Sequence, residues 1–195
     1  MKIVIINTSC GNLYSLQSAI KKIGFKSTIS NDPQIITGAD KIFLPGVGSV
    51  VSVMNKLKQD NLINIIKYCS IDILGICLGM QILGKYSQEC NGVQTLGRLN
   101  YTVEHIDTYL PVPHMGWNTV KYKTQSALFL NIPNNTYFYF AHSYFVHTNS
   151  YTIATSNYNN LFSSIINHKN FFGVQFHPEK SGLYGIQLIK NFLTL

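Results

Sequence analysis

Ile73-Leu74-Gly75-Ile76-Cys77-Leu78-Gly79-Met80-Gln81 runs an apolar stretch into a glycine, a cysteine, a second glycine and a helix-like segment. This is the pattern of a strand that turns sharply into a helix with a nucleophile at the apex. It is a cysteine version of the G-x-S-x-G elbow. Small residues two before and two after Cys77 suit such a turn, because a larger Cβ would clash where strand meets helix. A helix expected over residues 78–85 would place its first N–H groups beside the sulfur. That lowers a thiol pKa and offers donors to an oxyanion. A buried structural cysteine fits the same spacing, since free cysteine is among the most buried residue types. The stretch alone leaves both open.

Upstream of it, residues 2–7 form a continuous apolar run of strand length, typical of a parallel sheet covered on both faces. Residues 12–23 have helical spacing, with Leu13, Leu16, Ala19, Ile20 and Ile23 on one face and Gly24 as a stop. A short strand over residues 25–30, a helix start at Asp32-Pro33 and a strand over residues 41–44 follow. Strand alternating with helix predicts an open parallel sheet with right-handed crossovers. Pro45-Gly46-Val47-Gly48 then marks either a plain turn or a place where backbone approaches a ligand. Helices over residues 49–57 and 62–67 lead to the strand that feeds Cys77.

Downstream of Gly92 the texture changes. Short strands are expected over residues 97–106, 118–122, 137–140, 152–155, 162–166 and 171–176, and a helix over residues 182–195. This predicts a mixed or antiparallel second half. No linker-like stretch intervenes, so residues 1–195 are expected to be one domain.

Composition narrows the partners. Eight acidic residues against fifteen basic ones give a net charge of +7, but the lysines are scattered. Without a run of five or more basic residues, nucleic acid is not an expected partner. Cys10, Cys69, Cys77 and Cys90 form no C-x-x-C pair, so neither a zinc site nor a disulfide framework is indicated. Reduced thiols of a cytoplasmic protein fit that spacing. Met1-Lys2 leads straight into Ile3-Val4-Ile5-Ile6, too short for a signal peptide or a membrane span.

Gly173-Val174-Gln175-Phe176-His177-Pro178-Glu179 supplies the second chemical signal. An apolar strand ends at His177. Positions two apart on a strand point the same way, which would set Glu179 beside the imidazole, with Pro178 stiffening the link. A carboxylate there selects the tautomer and steadies an imidazolium. Alone, His177 and Glu179 also read as exposed strand-end residues. Together with Cys77 they describe a Cys-His-Glu triad.

The elbow and the His-Pro-Glu segment together resemble a class I (triad) glutamine amidotransferase. Leu44-Pro45-Gly46-Val47-Gly48, Pro113-His114-Met115-Gly116-Trp117-Asn118, His142-Ser143-Tyr144 and His177-Pro178-Glu179-Lys180-Ser181-Gly182 are similar to the glutaminase subunits of imidazole glycerol phosphate synthases. The resemblance covers essentially the whole chain. It implies an αβα sandwich of class α/β and a separate (β/α)₈ cyclase partner. The cyclase makes imidazole glycerol phosphate and an aminoimidazole carboxamide ribotide in histidine biosynthesis, with no cofactor on the glutaminase. It implies Cys77 as nucleophile, His177 as base and Glu179 as its orienter. Backbone N–H groups of Leu78 and of Val47 or Gly48 would form the oxyanion hole, with Gly46 beside them.

The same resemblance implies that Gly46, Gln81, Glu89 and the Ser143-Tyr144 backbone hold glutamine. Position 88 is a glutamine where an acid is often found. Met115, Trp117 and Asn118, on an expected loop, and Lys180 would meet the cyclase. His105, His114, His142, His147 and His168 are expected to be structural or surface histidines. A paralogous glutaminase feeding a sugar-amidating synthetase and a non-catalytic relative are the alternative readings.

Overall fold

Apolar runs form three strands of the first half, Ile3–Ile6 (β1), Lys41–Gly46 (β3) and Asp72–Cys77 (β4), and the polar, partly exposed Ser27–Ser30 (β2) forms the edge strand beside β1. The helices between them are Leu13–Lys22 (α1), Pro33–Thr37 (α2), Val50–Gln59 (α3) and Ile63–Tyr68 (α4). The computed structural model describes residues 1–8 and 12–195, so Cys10 lies outside the described residues. Side chains of β1 alternate between two cores. Ile3 and Ile5 pack with Leu16 and Ile20 of α1, whereas Val4 and Ile6 pack with Ile36, Val53, Leu57 and Ile66 of α2 to α4. Both faces of the strand are therefore apolar, which is why the run is continuous and not alternating.

A single helical turn, Leu78–Gln81 (α5), follows β4. The helix expected over residues 78–85 is thus cut short. Tyr101 Oη donates to the Met80 carbonyl at 2.5 Å, and the ring lies against Gly84. Leu83 and Gly84 close the turn with i→i−3 bonds, Leu83 N to Met80 O and Gly84 N to Gln81 O. With one turn, the dipole contribution at the sulfur reduces to that of a few nearby N–H groups.

The second half adds Tyr86–Ser87 (β5), Val93–Gln94 (β6), Thr102–His105 (β7), His114–Tyr122 (β8), Thr136–His142 (β9), Tyr144–Val146 (β10), Thr152–Tyr158 (β11), Asn160–His168 (β12) and Phe171–Val174 (β13). Gly182–Leu193 (α6) closes the chain and packs Leu188, Ile189 and Phe192 onto the α1 side of the sheet. Residues 113–118, expected as a loop, belong instead to β8 from His114 onward. Its burial alternates, with His114 inward and Met115 and Trp117 outward. Gly116 and the adjacent prolines hide that two-residue period in the sequence.

Among the described residues, nine strands form one sheet in the order β2-β1-β3-β4-β13-β12-β11-β8-β9. Pairings from β2 through β13 are parallel, and those from β13 to β9 are antiparallel. The fold is therefore α/β, with helices on both faces of the parallel half and an antiparallel extension, as expected. A smaller sheet runs β10-β7-β5-β6.

The register sets the site. β4 is flanked by β3 and β13, with Gly46 opposite Cys77 and Val174 opposite Ile76. The carboxyl ends of three neighbouring parallel strands thus converge. In open α/β sheets that edge is where ligands bind.

Candidate active site

Cys77 ends β4 with φ 54° and ψ −111°, a left-sided conformation that a non-glycine residue holds only under constraint from its surroundings. The flanking glycines supply that constraint. A Cβ at Gly79 would lie 1.7 Å from the Leu44 carbonyl oxygen, and one at Gly75 2.6 Å from the Gly79 oxygen. The helix can cross the strand ends this closely only without those side chains. The elbow expected from the sequence is present.

His177 lies three residues past β13 and is almost fully buried. Its N–H donates to Tyr139 O at 2.9 Å, and its carbonyl accepts from Ser181 Oγ at 2.6 Å. Its side chain neighbours Cys77 on one side. On the other, Nδ1 donates to Glu179 Oε1 at 2.9 Å. The pairing is the expected one, but the geometry is not. Pro178–Lys180 is a 3₁₀ turn and not a strand, so the turn folds Glu179 back onto the ring. The Asn12 amide also donates to Glu179 Oε1. Burial lowers the His177 pKa. Its contacts with Cys77 and then with Glu179 override this and raise it to about 10.

In front of Cys77 lies a cavity of about 370 Å³. Val47, Gly48, Leu78, Gln81, Glu89, Ser143 and Tyr144 all line it, as does Met115. Gly46 does not; it packs behind, against Leu78. Trp117, Asn118 and Lys180 also lie outside the lining. Leu78 heads the turn after the nucleophile, and Val47 and Gly48 lie just past β3, so both expected sources of oxyanion donors line the cavity that Cys77 also lines.

Gln81 is buried, and its Nε2 donates to Tyr144 O at 2.8 Å and to Gln175 Oε1 at 3.1 Å. Glu89 Oε1 accepts from Val50 N at 3.1 Å, tying the start of α3 across the cavity. Burial raises the Glu89 pKa, partly offset by that bond. Gln88 Oε1 accepts from His105 N, so position 88 braces β7.

Two features, the place of Gln175 and the pairing of His114 with His142, were not legible in the sequence. Gln175 is fully buried, and its Nε2 lies 3.7 Å from Cys77 Sγ. Its place in an apolar run carried no signal. The second is a buried histidine pair. His114 Nδ1 and His142 Nε2 are 3.0 Å apart, and His142 Nδ1 donates to Tyr144 O at 2.8 Å. His114 Nε2 faces the Asn118 amide at 3.4 Å. Burial holds His142 at about 3 and His114 at about 4, so both rings are neutral. A signal for this pair would need the register of β8 against β9, which sets His114 opposite His142.

The glutamine amidotransferase class-I family matches residues 4–195. The chain is 52% identical over 196 residues to imidazole glycerol phosphate synthase subunit HisH of Blochmanniella pennsylvanica, with all of both chains covered. It is 50% identical over 197 residues to the same subunit of Buchnera aphidicola subsp. Schizaphis graminum, again with both covered in full. Among solved structures, a protein described as a GMP synthase subunit from Thermoplasma acidophilum superposes with a TM-score of 0.77 at 20% identity. The match covers all of this chain and 92% of that one, a likeness of fold.

Proposed function

Because the chain belongs to the class-I glutamine amidotransferases and, within them, to the HisH subunits of imidazole glycerol phosphate synthase, we propose that Cys77, His177 and Glu179 are its glutaminase triad. The observation that carries this is the line Cys77–His177–Glu179: His177 lies beside Cys77, its Nδ1 is bonded to Glu179, and Cys77 lines the cavity. His177 takes the thiol proton, and Sγ attacks the side-chain amide carbon of glutamine. The oxyanion is met by backbone N–H groups of Leu78 and of Val47 or Gly48. His177 then gives its proton to the departing ammonia, leaving a γ-glutamyl thioester on Cys77. A water, deprotonated by His177, attacks that thioester and releases glutamate, and the proton returns to the sulfur. Glu179 keeps Nδ1 protonated throughout, so Nε2 faces the chemistry.

Gln81, Glu89, Ser143 and Tyr144 hold the substrate. Glu89 offers a carboxylate to the α-ammonium, and Ser143 and Tyr144 offer backbone to the α-carboxylate. The whole chain acts as one cytoplasmic amidotransferase domain without a cofactor.

The ammonia passes to a (β/α)₈ cyclase subunit docked over the cavity mouth. Met115 and Trp117 support that placement. They are 64% and 56% exposed on the outward face of β8, and Met115 also lines the cavity. Aromatic and methionine anchors of this kind are enriched in interface cores. Lys180 is exposed next to Glu179 and offers a cation to an acidic cyclase face. Asn118 lies on the inner side of β8, bonded to Asn157 O at 2.9 Å, and supports the strand from beneath.

Glutaminase turnover measured with and without the cyclase and its ribonucleotide ligand tests the coupling. A large rise in the complex is expected. Equal rates in both would overturn it.

A further inference from the structure

The amide orientations around Cys77 follow from one fixed acceptor. The Tyr144 carbonyl can only accept, so the Gln81 atom 2.8 Å from it is Nε2. The second hydrogen of that nitrogen goes to Gln175, 3.1 Å away, whose facing atom is therefore Oε1. The remaining end of the Gln175 amide, Nε2, points at Cys77 Sγ at 3.7 Å. Gln175 cannot swing away easily. It is fully buried, and its backbone N–H donates to Ser164 O at 2.8 Å.

The surroundings of the sulfur suit its two protonation states unequally. As a thiol, Sγ can donate to the Ala141 carbonyl at 3.8 Å. As a thiolate it has no proton to give, and that carbonyl becomes a repulsive neighbour. The thiolate needs donors instead. Among the described residues, His177 and Gln175 are the side chains placed to supply them. His177 leaves the sulfur whenever it serves the ammonia or the water. Gln175 stays.

We propose that Gln175 is a catalytic residue of this enzyme, its Nε2–H donating to Cys77 Sγ so that the thiolate is stabilised before attack and again when the thioester releases it. The proposal rests on Cys77 being the glutaminase nucleophile. No covalent step is added to the reaction: the S–H bond still breaks toward His177, and the amide only shares its hydrogen with the sulfur. Gln81 sits at one remove and acts as the positioning residue that fixes which end of Gln175 faces Cys77.

The test compares the wild-type chain with Gln175→Leu and Gln175→Glu. Alkylation of Cys77 by iodoacetamide is followed against pH on the Cys77-containing peptide, and glutamine turnover is measured on the same preparations in complex with the cyclase. A hydrogen bond to a charged group has a strength corresponding to roughly tenfold or more in an equilibrium. Gln175→Leu should therefore move the alkylation midpoint up by about one pH unit and lower kcat about tenfold, with KM less affected. Gln175→Glu keeps the shape and the acceptor for Gln81 but turns an oxygen toward the sulfur. It should raise the midpoint further still.

A merely structural amide predicts that Gln175→Leu leaves midpoint and kcat close to wild type. That result would overturn the proposal. If Gln175→Leu does not fold, Gln175→Met, which fills similar space without a donor, decides the matter in the same way. Wild-type turnover of glutamine separates the two levels. Its absence removes the glutaminase reading itself, whereas turnover with unmoved midpoints removes only the role of Gln175.

Discussion

His177 and His142 are buried to nearly the same degree, 3% and 5% exposed, yet they titrate in opposite directions. His177, at the carboxyl edge of the parallel half, is raised to about 10. His142, in the antiparallel half, is lowered to about 3. Burial pushes both down. The difference lies in the partners. His177 sits between a thiol and a carboxylate that gain from its charge. His142 sits between a second imidazole and a carbonyl, and His114 beside it is itself held neutral. One site is built to move a proton and the other to hold a backbone carbonyl still. Both meet at one small region, because Tyr144 O accepts from His142 and also from Gln81.

The largest expected effect comes from removing the proton-moving side of this contrast. Cys77→Ala or His177→Asn should lower glutamine turnover by about 10⁵-fold or more, measured as glutamate release in the cyclase complex. Next is Glu179→Gln, which keeps the shape but offers an amide that no longer fixes Nδ1–H. Turnover should fall about 10³- to 10⁴-fold. The same variant should move His177 partway toward His142: the titration midpoint of its ring, followed by NMR, should fall from about 10, with Cys77 still holding part of the rise. An unmoved midpoint would break the comparison, because it would leave Glu179 no share in the shift.

The two sites also load stability onto opposite pH windows. A raised histidine stabilises the fold fully below 6.5, and that contribution is lost as pH rises through about 10. The lowered pair works the other way. The unfolded chain takes up protons near 6.5 while His114 and His142 resist until about 4 and about 3. Their contribution is complete above 6.5 and is lost as the solution is acidified. Between pH 7 and pH 5 the two should cost about 3 kcal/mol of unfolding free energy, read by urea titration. In a His114→Gln/His142→Gln variant most of that acid sensitivity should vanish, even though the variant is less stable at pH 7.

Much of the parallel half was legible from local pattern. Gly75 and Gly79 stood out because the close crossing of β3, β4 and α5 forbids side chains there. The apolar run of β1 showed because both of its faces are covered. The partners of Cys77 were legible as residue types, but their geometry was not. Glu179 reaches His177 through a 3₁₀ turn, which a period-two argument cannot anticipate. The antiparallel half hid more. Its side-chain meetings depend on cross-strand register, and His114 and His142 are 28 residues apart in sequence. Gln175 was invisible for a similar reason: a lone amide in a buried strand gains meaning only from Gln81 and Cys77, each more than 90 residues away. Tertiary contact likewise ended α5 early, through Tyr101 on the Met80 carbonyl.

The smallest expected effect sharpens the contrast between the two faces of β8. Trp117 is exposed and touches Tyr139 edge-on, whereas His114 is buried on the other face. Trp117→Ala should change unfolding free energy by no more than about 0.5 kcal/mol. It should weaken binding to the cyclase by about 2 kcal/mol, measured by titration calorimetry.

The most direct test of the central claim is covalent. The chain, in complex with the cyclase, is treated with a diazoketone analogue of glutamine, and the labelled peptide is identified by mass spectrometry. A triad at Cys77, His177 and Glu179 predicts one adduct, on Cys77, that excess glutamine prevents and that His177→Asn abolishes. An adduct on Cys69 or Cys90, or glutamine turnover by a chain whose Cys77 stays unlabelled, would contradict it.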